Sequence, residues 1–164
     1  MSDLAAMFHK LGFEDVTTLL QSGNIVFRGS PARAKSLESW LESETASRLK
    51  VVADYLIRTV SEWQKIVDEN PYPTEAAHDP GHLVVMVLKT HPTAERLKSL
   101  ATSIRGPEQF KARGKQLYIV YPDGIGRSKF TGTLIERVLG IRGTARNWNT
   151  VLRLAELARG NGGR

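Results

Sequence analysis

The chain contains no cysteine. That absence removes disulfides, thiolate nucleophiles, cysteine-ligated zinc and iron–sulfur clusters. No apolar run approaches the roughly 18 residues that would cross a bilayer, and the first residues lack the pattern of a secretory signal. Acidic residues are scarce in one part only. Residues 105–164 hold 4 Asp+Glu against 12 Lys+Arg, a balance of +8, whereas residues 1–104 hold 13 against 11, a balance of −2. The expectation is a cytoplasmic protein with no membrane attachment and no cofactor, whose C-terminal part carries a field suited to phosphates or nucleic acid; the plainer reading is arginines on solvated helix faces.

What is present is ordinary for a globular chain of 164 residues, enough for one domain or two small lobes. Ser2 and Asp3 are suited to cap a first helix with Leu4, Met7, Phe8 and Leu11 on one face, and Gly12 ends it. "DVTTLLQSGNIVFRG" reads as two strands turning at Ser22-Gly23-Asn24. Ser30-Pro31 opens a second helix running to about Leu49. "VVADYLIRTV" reads as a strand, and "SEWQKIVDEN" as a helix with Thr59 or Ser61 near its cap. The proline-rich loop from Asn70 to Gly81 is the natural boundary between lobes.

"HLVVMVLKT" is apolar throughout, as a strand buried on both faces would be. A helix ("PTAERLKSLATS"), a hairpin turning near Gly114 and a helix ("TGTLIERVLG") follow. A short strand around Gly143–Arg146 and a last helix ("NWNTVLRLAELA") complete the pattern.

This order predicts an α+β fold with two ferredoxin-like (βαββαβ) lobes, the first lacking its opening strand. The expected divisions are a first lobe over 1–58, a linking helix and loop over 59–82, a second lobe with its C-terminal helix over 83–159, and a frayed tail over 160–164. Without an opening strand, Val52–Arg58 needs a neighbour for its backbone groups. A start upstream of Met1 is the expected explanation. A lobe that closes differently and another chain docking at that sheet edge are the alternatives.

Three stretches, "LGFEDVTTLLQSGNIVFRG", "YPDGIGRSKFTGTLIERVLG" and "TARNWNTVLRLAELA", resemble the bacterial domain-of-unknown-function family 1697, in the same order over nearly the whole chain. The resemblance implies a pair of small ferredoxin-like lobes and no established activity. It also implies a strand and glycine-rich segment ahead of Met1, so a site built there would be incomplete in this chain.

The chemistry-bearing stretch is "DGIGRSKFT". Gly124 and Gly126 would let backbone N–H groups approach a ligand, and a helix start near Thr131 adds positive potential. Arg127 can fork onto two oxygens, Lys129 is a point charge, and Ser128 and Thr131 can donate. The spacing is not that of a Walker loop. The plainer reading is a strand-to-helix turn capped by Thr131.

Arg146, Asn147, Trp148 and Asn149 combine a fork, two amides and a flat ring suited to a base or sugar. Their plainer reading is a helix cap and a packed tryptophan. Gln21–Asn24 and the His78, Asp79, His82 cluster are weaker candidates, the latter because no metal-ligand spacing accompanies it. The leading expectation is binding of nucleic acid or a phosphorylated small molecule on the C-terminal lobe. The alternatives are an enzyme with Asp123 as base, whose site includes the missing segment, and a protein-interaction module.

Overall fold

A computed structural model describes residues 1–19, 23–29 and 36–161. The chain divides into two compact units, residues 1–63 with 153–164, and residues 64–152. Among the described residues there are seven α-helices and two antiparallel sheets, a mixed α+β architecture.

The first unit opens with α1 (Ser2–Lys10), β1 (Glu14–Leu19), β2 (Asn24–Arg28) and α2 (Leu37–Leu49). Neither Ser2 nor Asp3 caps α1. The helix starts at Ser2 itself, with Met1 in the cap position and no side-chain bond there. Gly12 ends it with φ +89°, a left-handed conformation that costs glycine little. β1 and β2 pair antiparallel, and the Asn24 side-chain amide donates to the Leu19 carbonyl at 3.1 Å. Asn24 therefore closes the hairpin, while Gln21 and Ser22 lie outside the described residues. α2 begins at Leu37, because the Ser36 hydroxyl accepts from Ser39 N–H; the expected start at Ser30-Pro31 lies outside the described residues. Met7, Phe8, Phe13 and Leu41 form the core. The Phe27 ring meets Phe8 and Phe13 edge-on at 5.0 and 4.8 Å between centroids.

The expected strand at Val52–Arg58 is not a strand. Alternate amides of this stretch are taken by carboxylates: Tyr55 N–H by Glu42, Ile57 N–H by Glu38 and Thr59 N–H by Glu62. A charge-assisted bond to a carboxylate satisfies a backbone donor as well as a ladder partner does. Helical glutamates thus do what sequence periodicity assigned to a sheet.

The next helix, α3 (Val60–Asp68), begins with a reciprocal capping box. The Thr59 hydroxyl accepts from Glu62 N–H at 3.1 Å, and the Glu62 carboxylate accepts from Thr59 N–H at 2.7 Å. The proline-rich loop folds into α4 (Pro73–His78) and a 3₁₀ turn over Pro80–His82.

The second unit is built on β3 (Leu83–Leu88), whose six residues are all buried. α5 (Ala94–Thr102), β4 (Gln109–Arg113), β5 (Gln116–Val120), α6 (Gly132–Leu139), β6 (Gly143–Asn147) and α7 (Trp148–Asn161) follow. The sheet order is β4-β5-β3-β6, antiparallel throughout. On one face Val84, Met86 and Leu88 join Leu117, Ile119 and Tyr121 against Leu100, Ile135 and Leu139 of α5 and α6. Each such side chain contributes about 1.5–3 kcal/mol on burial. This interior is the rigid frame for what leaves the sheet's end.

Candidate functional site

Strand register decides which loops meet. Gln109, the first residue of β4, pairs with Val120, the last of β5. The segment before β4 (105–108) and the segment after β5 (121–130) therefore leave the sheet side by side. Between them lies a shallow pocket of about 340 Å³, lined by Arg105, Glu108, Asp123, Arg127, Ser128 and Lys129, with Gly106, Pro107 and Phe130.

The loop is pinned at both ends. Tyr121 N–H donates to the His82 carbonyl and Gly124 N–H to the Tyr121 carbonyl, each at 2.9 Å. Gly124 then turns with φ +83°, a conformation that strains any residue with a Cβ. At the far end the Tyr121 hydroxyl donates to the Phe130 carbonyl at 2.8 Å, and the Phe130 ring is buried beside Phe110 at 6.0 Å. Ser128 points inward. Its hydroxyl donates to Glu108 at 2.5 Å and accepts from Phe130 N–H at 2.9 Å. Its neighbours Arg127, which closes a 3₁₀ turn over Ile125–Arg127, and Lys129 line the same pocket. Both are exposed, as is Arg105, and none of the three forms an ion pair among the described residues.

Burial pushes the Tyr121 hydroxyl up to about 12, and the nearby Glu108 carboxylate adds to the effect. Tyr121 thus stays a neutral donor holding the loop. Thr131 caps α6 by accepting from Leu134 N–H at 3.2 Å, so its oxygen already has a backbone partner. His82 stands on the other flank of Gly124, with Nδ1 2.9 Å from the Asp79 carboxylate.

The other half of the expected site does not survive as drawn. Trp148 is only 4% exposed, so no base can stack on its ring. Asn147 accepts from Thr150 N–H at 3.0 Å and caps α7. Arg146 bonds the Thr144 hydroxyl at 2.6 Å and the Ala145 carbonyl at 2.8 Å, and burial lowers its guanidinium below the ordinary value. These three serve the strand-to-helix junction. In their place stands Arg105, which sequence reading passed over. It lies 22 residues before Arg127 in the chain, and only the β4–β5 register brings the two to one pocket.

Comparison with known proteins bears on the frame more than on the chemistry. The solved structure of the conserved bacterial protein SP0830 from Streptococcus pneumoniae is similar, with a TM-score of 0.73 and 15% sequence identity over 96% of this chain and 88% of that one. At that identity the likeness shows the fold alone. No curated protein sequence matches the chain, and no helix among the described residues is long and apolar enough to cross a membrane. The profile of the family described as "Protein of unknown function (DUF1697)" matches residues 1–118. The chain belongs to that family.

Proposed function

We propose that the pocket between residues 105–108 and 123–130 binds a phosphate-bearing ligand. The observation that carries this reading is the convergence of Arg105, Arg127 and Lys129, exposed and unpaired among the described residues, on one pocket at the end of the sheet. Arginine forks match two phosphate oxygens, and lysine supplies a point charge. The pinned loop fixes the backbone that carries Arg127 and Lys129 before binding, which lowers the ordering cost. Ser128 and Tyr121 act as braces rather than ligand contacts. The frame beneath is read as ferredoxin-like, since β3-α5-β4-β5-α6-β6 with the order β4-β5-β3-β6 follows that plan.

Thermal unfolding of the full chain against inorganic phosphate and a short single-stranded oligonucleotide, at low and high salt, tests the reading. A ligand raises the midpoint roughly with the logarithm of its concentration over Kd. The midpoint should rise with phosphate in the wild type and stay fixed in the Arg127→Ala/Lys129→Ala double variant. No rise in the wild type, or the same rise in both proteins, overturns it. A steep loss with salt would mark the polymer as the ligand, because each neutralised phosphate releases counterions.

A further inference from the structure

The cations are not alone in the pocket. Glu108 and Asp123 line it with them, so three cations and two carboxylates leave a net charge of +1. A site for bare phosphate or for a polyanion gains nothing from two carboxylates, which repel the ligand and its neighbours. Carboxylates at a phosphate site have another use. They accept hydrogen bonds from hydroxyls, as acidic residues do from the ribose of nucleotides.

Both carboxylates have the capacity. Glu108 takes the Ser128 hydroxyl on Oε1, which leaves Oε2 and its lone pairs. Oε2 lies only 2.6 Å from where a Cβ on residue 106 would sit, so the absence of a side chain at Gly106 gives it room. Asp123 is exposed and has no partner among the described residues. Among the described residues that line the pocket there is no exposed aromatic ring: Phe130 is buried, and Trp148 is buried outside the pocket. The site therefore has acceptors for a sugar and, among its described lining residues, no exposed aromatic ring on which to stack a base.

We infer that the ligand is a phosphate monoester bearing vicinal hydroxyls, a pentose phosphate either free or within a mononucleotide. Arg105, Arg127 and Lys129 hold the phosphate, and Asp123 and Glu108 accept from the hydroxyls. This rests on the phosphate-site reading above and narrows it to a small molecule. Bonds from a hydroxyl to a carboxylate are about twice as strong as neutral ones, enough to favour the sugar ester over phosphate by about tenfold.

Isothermal titration of the full chain with inorganic phosphate, ribose 5-phosphate, adenosine 5′-monophosphate and a short oligonucleotide tests it. Ribose 5-phosphate should bind about tenfold more tightly than phosphate. The nucleotide should match ribose 5-phosphate, showing that the base adds nothing, and the oligonucleotide should be weakest. Asp123→Asn should weaken ribose 5-phosphate about tenfold while leaving inorganic phosphate equal or tighter, since a repelling charge is gone. Glu108→Gln, which keeps an acceptor for Ser128, should act in the same directions. Those opposite movements are not what a damaged fold produces. Equal affinity for phosphate and ribose 5-phosphate, or parallel loss of both in Asp123→Asn, overturns the inference and leaves the phosphate site standing. Binding of no anion at all overturns both.

Discussion

Gly143→Ala is the sharpest test of the frame beneath the pocket. Gly143 opens β6 and pairs with Leu88 of β3. A Cβ built on it would lie 2.8 Å from Met86 Cε, 3.0 Å from Leu88 Cδ2 and 2.9 Å from the Val87 carbonyl oxygen. The two side-chain ends can turn away, at the cost of disturbing a core where Met86 and Leu88 are buried. The carbonyl oxygen cannot, because β3 is clamped between β5 and β6. Gly143 N–H also donates to the Glu136 carboxylate at 2.8 Å, tying β6 to α6, so the strand cannot slide away freely. Overpacking of this kind costs about 1–3 kcal/mol. Denaturant unfolding of wild type and variant should show a lower midpoint with an unchanged slope. A change within about 0.5 kcal/mol, the size of an ordinary surface substitution, would refute the reasoning and imply that β6 is loosely held.

The fold was legible where a local rule and a tertiary partner agreed. The six apolar residues of β3 and the turn at Gly114 both appear as the pattern implies. Val52–Arg58 misled because β-branched and aromatic residues in alternation describe an extended chain, not its partners; Glu38 and Glu42, on a helix, take the amides. Arg127 and Lys129 could be found from their glycine loop. Arg105 could not, since strand register joins it to them. Trp148 misled for a related reason: polar neighbours suggested an exposed ring, and burial is a property of packing, not of the flanking residues.

Other consequences are open to measurement. Tyr118 and Tyr121 are both pushed up to about 12, chiefly by burial, against an ordinary value near 10. Their folded-state values lie above the unfolded ones, so the stability each contributes is intact below about pH 10 and is lost between about 10 and 12, roughly 3 kcal/mol apiece at full extent. Tyr118→Phe should flatten that alkaline loss in a pH series of denaturant melts; an unchanged slope would contradict it. Glu62→Ala removes one arm of the capping box with Thr59 and should cost about 1 kcal/mol, read as a lower thermal midpoint. Ser128→Ala removes the brace to Glu108 and should weaken phosphate binding severalfold while the protein remains folded by circular dichroism. Arg146→Met should lower stability yet leave phosphate affinity within about twofold, since its guanidinium bonds Thr144 and Ala145 within β6; a large loss of affinity would return it to the site.

The central claim is that one pocket, and not the basic surface at large, takes the anion. A ¹H–¹⁵N correlation titration of the full chain with inorganic phosphate addresses it residue by residue. Saturable shifts should concentrate in residues 105–108 and 123–130, with Gly124, Gly126 and Arg127 among the largest and Asn147–Trp148 still. Small, unsaturating shifts scattered over the arginines of residues 105–164, or a saturable site elsewhere, would contradict it.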